Sequence, residues 1–143
     1  MYTREESSQM KQEFWTAFGK YMGPIPSAEG LRINWINYRT GIKDVHFRME
    51  TLANSASIYI SLEHKDTGIR ELFFEQFLEL KLMLESALEE EWTWEPARII
   101  RELPGTSVFN KDQWPELITF FKPRIIALDS FWENAKYNFE SLK

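Results

Sequence analysis

The sequence has no cysteine, no long apolar run and no excess of basic residues. The absence of cysteine excludes disulfide bonds, thiolate metal sites and cysteine nucleophiles, and it suits a reducing cytoplasm. No apolar stretch approaches the ~20 residues that a membrane helix needs. The polar start of the chain also lacks the apolar segment of a signal peptide. We therefore expect a cytoplasmic protein with no membrane partner.

What the sequence does have is many aromatic residues and a moderate acidic charge. Its 143 residues include 6 Trp and 11 Phe, and the formal net charge is −5. Large rings bury much apolar area, and a chain of this length fits one core, so we expect residues 1–143 to form a single domain. An acidic domain is not drawn as a whole to phosphate backbones, so we do not expect a nucleic-acid partner.

Apolar residues at helical spacing predict helices at both ends of the chain and in its middle. The first begins at the capping box of Thr3–Glu6 and ends before Gly23-Pro24. The middle helix covers about Gly68–Glu91. Near the end, a helix over Asp112–Lys122 is broken or kinked by Pro123, and a final helix follows.

Alternating apolar and polar residues predict the strands between these helices. Three of them precede the middle helix, at Leu31–Tyr38, Asp44–Glu50 and Ile58–Glu63. A later hairpin has strands at Ala97–Leu103 and Thr106–Asn110, joined at a Pro-Gly turn. The element order α-β-β-β-α-β-β-α-α predicts an α+β fold, with a largely antiparallel sheet of about five strands packed with helices.

The hairpin between Asp44 and Lys65 carries two candidate sites. A two-residue loop at Asn54-Ser55 would pair Met49 with Ile60 and so place the apolar side chains on one face. The other face would carry the first candidate, a polar binding surface. Its residues are Arg48, Glu50, Tyr59 and Glu63.

The second candidate is catalytic and consists of Asp44, Glu63 and Lys65. Two carboxylates on neighbouring strands can hold Mg²⁺ through oxygen ligands, and a lysine two residues on lies on the same strand face. That arrangement is typical of metal-dependent nucleases of the restriction-enzyme type, which activate water at the metal. The alternative is a solvated face on which His46 and Arg48 neutralise the carboxylates, as cross-strand charge pairs commonly do.

A third candidate lies on the middle helix, which has two apolar rows. The second row consists of Phe74, Leu78 and Leu82 and is set among glutamates. Such a row either packs within the domain or meets a partner. If it is exposed, it predicts a homodimer.

Several aromatic patterns give the whole chain its resemblance to a known family. They are Phe14-Trp15, Trp35 followed by Thr40-Gly41-Ile42, His46-Phe47, Ile58-Tyr59-Ile60, and Trp92-Thr93-Trp94-Glu95 after an acidic helix end. With these the chain resembles the bacterial family catalogued as domain of unknown function 4268. The resemblance implies a compact α+β unit of about this length, often attached behind a nuclease-like or other defence-associated domain. It implies no catalytic residues.

Two hypotheses for function follow. The first is a small bacterial interaction or accessory module that needs no cofactor and binds another protein or itself. The alternative is a divalent-metal-dependent phosphodiesterase, with Mg²⁺ held by Asp44 and Glu63 and with Lys65 beside the attacking water.

Overall fold

The computed structural model describes residues 2–142. Its first helix is α1 (Arg4–Met22). Its start is held by the predicted capping box: the Thr3 N–H donates to Glu6 Oε1, and the Glu6 N–H donates to Thr3 Oγ1, each at 3.1 Å. Two N–H groups that have no partner inside the helix are satisfied in this way. The prediction of this helix and its cap is confirmed.

The sheet is antiparallel throughout and has four strands in the described residues, 2–142. The strands are β1 (Val45–Thr51), β2 (Ser55–Leu62), β3 (Thr93–Glu95) and β4 (Arg98–Pro104), in the spatial order β1-β2-β4-β3. The α+β class and the antiparallel sheet are confirmed. The predicted fifth strand and the predicted order of elements are wrong.

The strand predicted at Leu31–Tyr38 is irregular chain. Asn34 Oδ1 accepts hydrogen bonds from the N–H groups of Ile36 and Asn37, at 3.0 and 3.1 Å, and this local turn competes with a strand. Trp35 is buried, and its indole N–H donates to the carbonyl of Ile25 at 3.0 Å. The alternation in the sequence therefore reflects anchors of a loop and not one face of a sheet.

The second hairpin also differs from its prediction. β3 pairs with β4 across the short turn at Pro96-Ala97, whereas Thr106–Asn110 forms no strand. In that segment side chains satisfy the backbone: the Ser107 N–H donates to Gln113 Oε1 at 2.8 Å. Pro104-Gly105 ends the strand and leads away from the sheet, because Gly105 has a φ of +76° that glycine tolerates.

The predicted middle helix is two helices, α2 (Thr67–Glu79) and α3 (Lys81–Leu88). At Leu80 the regular pattern breaks, and its N–H bonds to the carbonyl of Phe77 at 3.0 Å. The break lets α2 contact β2 while α3 packs along the long C-terminal helix. A continuous helix over Gly68–Glu91 is therefore wrong, since one straight rod cannot follow both neighbours.

That long helix is α4 (Trp114–Ala135), which runs through Pro123 without a break and is followed by α5 (Tyr137–Glu140). Proline removes a hydrogen bond to the carbonyl four residues earlier, here that of Thr119. Both Pro123 and Thr119 are exposed, so water can replace the lost bond. The break predicted at Pro123 is wrong, because the helix continues to Ala135; the alternative of a kink there stays a prediction.

The β1–β2 register is shifted by two residues from the predicted one. Met49 lies opposite Ile58, and Thr51 lies opposite Ala56. The hairpin turns at Ala53-Asn54, one residue earlier than predicted, because the Leu52 N–H donates to the Ser55 carbonyl at 2.8 Å. A shift of two leaves every side chain on its predicted face.

The apolar face of the sheet packs against the helices in one aromatic core. Its largest fully buried side chains include Trp132, Phe14, Phe18, Phe77 and Phe121. Within the described part of the chain, the helices are too short or too polar to cross a membrane.

Candidate functional sites

Asp44 and Glu63 face each other at the end of the β1–β2 hairpin. The Glu63 N–H donates to the Asp44 carbonyl at 2.7 Å, so the two residues are directly opposite each other. Asp44 has a left-handed backbone with a φ of 68°. Lys65 lies in the connection to α2 and is exposed. The structure therefore brings the backbones of Asp44 and Glu63 together at this hairpin end.

The carboxylate of Glu63 is already engaged by its own face of the sheet. Arg48 donates to it through Nε at 2.5 Å and through Nη2 at 2.7 Å, and His46 Nε2 lies 3.8 Å away. The Arg48 hydrogen bonds outweigh partial burial and lower the pKa of Glu63 to about 2. Glu63 is thus ionised at neutral pH, and the positive charge of Arg48 balances its negative charge.

Metal-ligand geometry is lacking around this carboxylate. Across residues 2–142, no three His, Asp or Glu side chains lie close enough together to hold a metal ion. A divalent ion at Glu63 would have to displace the two-point contact with Arg48, which is among the stronger hydrogen-bonded pairs in proteins. The arrangement favours a structural role for Glu63.

The rest of the polar face is paired in the same way. Tyr59 lies opposite Arg48 and donates its hydroxyl to Glu50 Oε1 at 2.5 Å. Burial and this bond raise the pKa of Tyr59 to about 12. Arg98 lies over the Tyr59 ring at 5.8 Å and binds Glu95 at 2.9 Å. The structure brings together all four predicted residues of this face, and each of them has a partner.

The second apolar row divides into a packed part and an exposed part. Phe74 is half-buried and meets the Trp94 ring edge-to-face at 5.9 Å. Leu78 and Leu82 have exposed fractions of 43% and 84%. Leu72 and Met83 are also exposed on these two helices. We call Leu72, Leu78, Leu82 and Met83 the leucine patch.

A cleft that the sequence did not predict lies between the loop over 27–39 and the second half of α4. Its volume is about 500 Å³. Asp129 lines it and is only 6% exposed. Its carboxylate accepts the Tyr38 hydroxyl at 2.5 Å and the Ala28 N–H at 2.7 Å. These partners are 91 and 101 residues away in the chain, so no local sequence motif predicts the site.

One sequence signal for this cleft did exist. Asp129 follows Leu128 on the helix that buries Ile125, Leu128 and Trp132, and a carboxylate among buried apolar positions is rare unless it is paired. That signal locates a buried acid but does not identify its partners.

Comparison with known proteins gives a family and little else. Residues 10–136 match the model of the family described as Domain of unknown function (DUF4268). No curated protein matches the chain, and no solved structure matches it. The match covers most of the 143 residues.

Proposed function

We propose that this chain, which belongs to the DUF4268 family, is a protein-binding module that uses the leucine patch as its contact surface. The observation that carries the proposal is Leu82, a large apolar side chain that is 84% exposed on a helix. Single exposed leucines are common, but larger exposed apolar surfaces mark contact sites more often, and all four residues of the leucine patch are exposed within the stretch 72–83. Leu78 lies one turn before Leu82 along the α2–α3 segment and is exposed as well.

The charge around the patch favours a partner over a second copy of the chain. Glu71, Glu75 and Glu79 are exposed on the same helix as Leu72 and Leu78. A symmetric dimer would bring these like charges together, which costs free energy when they lose water. A partner with apolar side chains and a basic rim would meet both features of the surface.

The polar face of the sheet supports this choice of surface. Each of its residues, Arg48, Glu50, Tyr59 and Glu63, already has a partner within the domain. A binding partner would have to replace these bonds with equally good ones, since an unpaired charge at an interface is costly. We therefore propose this face as a secondary contact only.

The setting that we propose is the bacterial cytoplasm, where the chain would act as an accessory module in a defence-related protein or assembly. The cysteine-free sequence supports a cytoplasmic setting. The resemblance to a bacterial family whose members are often attached behind defence-associated domains supports the accessory role. The proposed binding needs no cofactor.

Photo-crosslinking in cells tests the contact surface. A photoreactive amino acid at position 82 should give a discrete adduct, whereas the same group at position 137 should give none. Tyr137 is a matched control because it is 62% exposed on another helix. Glu71→Lys should weaken the adduct at position 82 if the partner is basic.

Light scattering of the purified chain separates the two kinds of partner. We expect a monomer, because of the acidic rim. A dimer that Leu78→Ser with Leu82→Ser dissociates would make a second copy the partner. A monomer that forms no adduct at position 82 would contradict the proposal.

A phosphodiesterase remains the alternative, and one observation favours it: Asp44 and Glu63 lie opposite each other at the hairpin end. The occupied carboxylate of Glu63 weighs against it. Incubation of the chain with plasmid DNA and Mn²⁺ tests it directly. Cleavage that Glu63→Gln abolishes would establish the alternative, whereas equal residual cleavage by both proteins would reject it.

A further inference from the structure

The cleft beside Asp129 holds a buried carboxylate whose two bonds come from uncharged donors. The Tyr38 hydroxyl and the Ala28 N–H are these donors. A carboxylate has about four acceptor positions, so Asp129 has acceptor capacity beyond these bonds. In the part of the chain that the structure describes, Asp129 forms no ion pair with Lys, Arg or His. Burial of such a charge without a cation is costly.

Other charges around the cleft do not compensate for Asp129. Glu133 lies one helical turn further along α4 and lines the same cleft, so it adds negative charge. Lys136 and Arg39 line the cleft as well, but Lys136 is held by Glu29 at 2.9 Å. Arg39 forms no ion pair with Asp129 in the described residues. Burial is the largest cause of the raised pKa of Tyr38, and the hydrogen bond to Asp129 and the nearby acidic charges add to it.

The walls of the cleft suit an organic cation. The buried Trp132 and the half-buried Tyr38 contribute aromatic rings, and cations are attracted to such rings. A volume of about 500 Å³ lies within the range of small-molecule sites. A metal ion fits less well, since the described residues contain no cluster of three His, Asp or Glu ligands.

We propose that this cleft binds a small organic cation, a primary ammonium or a guanidinium group, whose N–H groups donate to the carboxylate of Asp129. Glu133 adds favourable charge at the same end. Ile33 and Trp132 line the cleft as well and contact the apolar part of the ligand. The site differs from the leucine patch in every residue, so either proposal can fail alone.

Two probes of nearly equal shape test the charge requirement. n-Butylguanidinium carries the cation, and n-butylurea is its neutral counterpart. In amide NMR spectra of the full chain, n-butylguanidinium should give saturable shifts over residues 27–39 and 129–136. n-Butylurea should give none. Equal binding of the two probes, or no saturable shift with the cation, would overturn the proposal.

Variants locate the ion pair within the cleft. Asp129→Asn should weaken n-butylguanidinium binding roughly tenfold or more, because a charge-assisted bond is lost. Glu133→Gln should weaken it severalfold. Glu116→Gln is the matched control, an exposed acid in the first turn of the same helix, and it should bind as the wild type does. Equal weakening by the control would reject the assignment.

Asp129 also anchors the loop, so its replacement could unfold the chain. Tyr38→Phe keeps the carboxylate and removes one of its donors, and it should bind the cation at least as tightly as the wild type. Weaker binding by a folded Tyr38→Phe variant would contradict the ion-pair model. A capped Gly-Arg-Gly peptide identifies the source of the cation: tighter binding than n-butylguanidinium indicates a partner's arginine, and weaker binding indicates a free small molecule.

Discussion

Glu90, just beyond the end of α3, holds Arg124 of α4 through hydrogen bonds of 2.8 and 2.9 Å. The Trp92 indole N–H donates to the same carboxylate at 2.8 Å. Burial alone would raise the pKa of Glu90, but the bonds from Arg124 and Trp92 outweigh it and the pKa is lowered. This cluster ties the end of one helix to the middle of another.

Replacement of Glu90 should therefore destabilise the fold. Glu90→Gln removes the charge and leaves Arg124 partly buried without its anion, which should cost about 1–3 kcal/mol in the free energy of unfolding. Urea denaturation measures this cost. Glu91→Gln is the control, because Glu91 is exposed and such surface changes stay within about 0.5 kcal/mol. Equal losses in the two variants would mean that the pair contributes nothing.

The contacts on the polar face predict how the pKa of Glu63 responds to mutation. Arg48→Gln should raise the pKa of Glu63 from about 2 toward its ordinary value of 4.5, because the largest cause of the shift is removed. Carboxyl-carbon NMR of the labelled chain follows the titration. Arg98→Gln breaks the neighbouring pair with Glu95 and should leave the pKa of Glu63 low. A Glu63 pKa that stays near 2 in Arg48→Gln would contradict the structure.

The same contact links stability to pH. The folded-state pKa of Glu63 is depressed, so its stabilising contribution is complete above its unfolded value of about 4.5 and disappears as pH falls toward 2. The wild type should therefore be more stable than Glu63→Gln at pH 7, and this difference should shrink below pH 4.5. A difference that is constant between pH 7 and pH 3 would rule out the linkage.

The two apolar rows of α2 and α3 should respond very differently to truncation. Phe77 is fully buried, so Phe77→Ala should cost about 3–5 kcal/mol of stability by leaving a cavity. Leu82→Ala should change stability by less than about 0.5 kcal/mol, because Leu82 is largely in solvent. Thermal and urea unfolding give both values. A large loss in Leu82→Ala would mean that Leu82 packs within the fold.

The N-terminus of α2 depends on one side chain. Asp66 Oδ1 accepts the N–H of Ile69 at 3.2 Å and caps the helix. Asp66→Ala should cost about 1 kcal/mol, whereas Asp66→Asn keeps an acceptor and should cost much less. Equal costs would show that the charge at the helix end matters and the acceptor does not.

Local signals predicted the elements that local chemistry determines. The capping box at Thr3 and Glu6 marked the start of α1 correctly, because both bonds form within one helical turn. Alternation located β1 and β2, and the strict period of two kept each side chain on its predicted face although the register is shifted. The four residues of the polar face therefore share one face as predicted, and the contacts of Arg48 and His46 with Glu63 agree with the alternative of a neutralised face.

The errors came from segments whose backbone is satisfied by distant or side-chain partners. Trp35 and Ile33 alternate as in a strand, yet Trp35 anchors a loop by its bond to Ile25. Pro123 predicts a break or a kink, yet α4 is not broken there because buried neighbours such as Phe121 and Ile125 hold it against the core. Neither outcome is visible in a short window of sequence.

The sequence alone determined the α+β class, the antiparallel hairpin and the acidic, cysteine-free character of the chain, since composition and residue periodicity carry these properties. Only the tertiary structure decided that Arg48 pairs with the carboxylate of Glu63, that Leu82 is exposed to solvent and that Tyr38 donates a hydrogen bond to Asp129. Each of these depends on how elements pack together. A carboxylate, a leucine or a tyrosine has the same identity in either setting, and its neighbours in space determine its charge balance, its exposure and what it can bind.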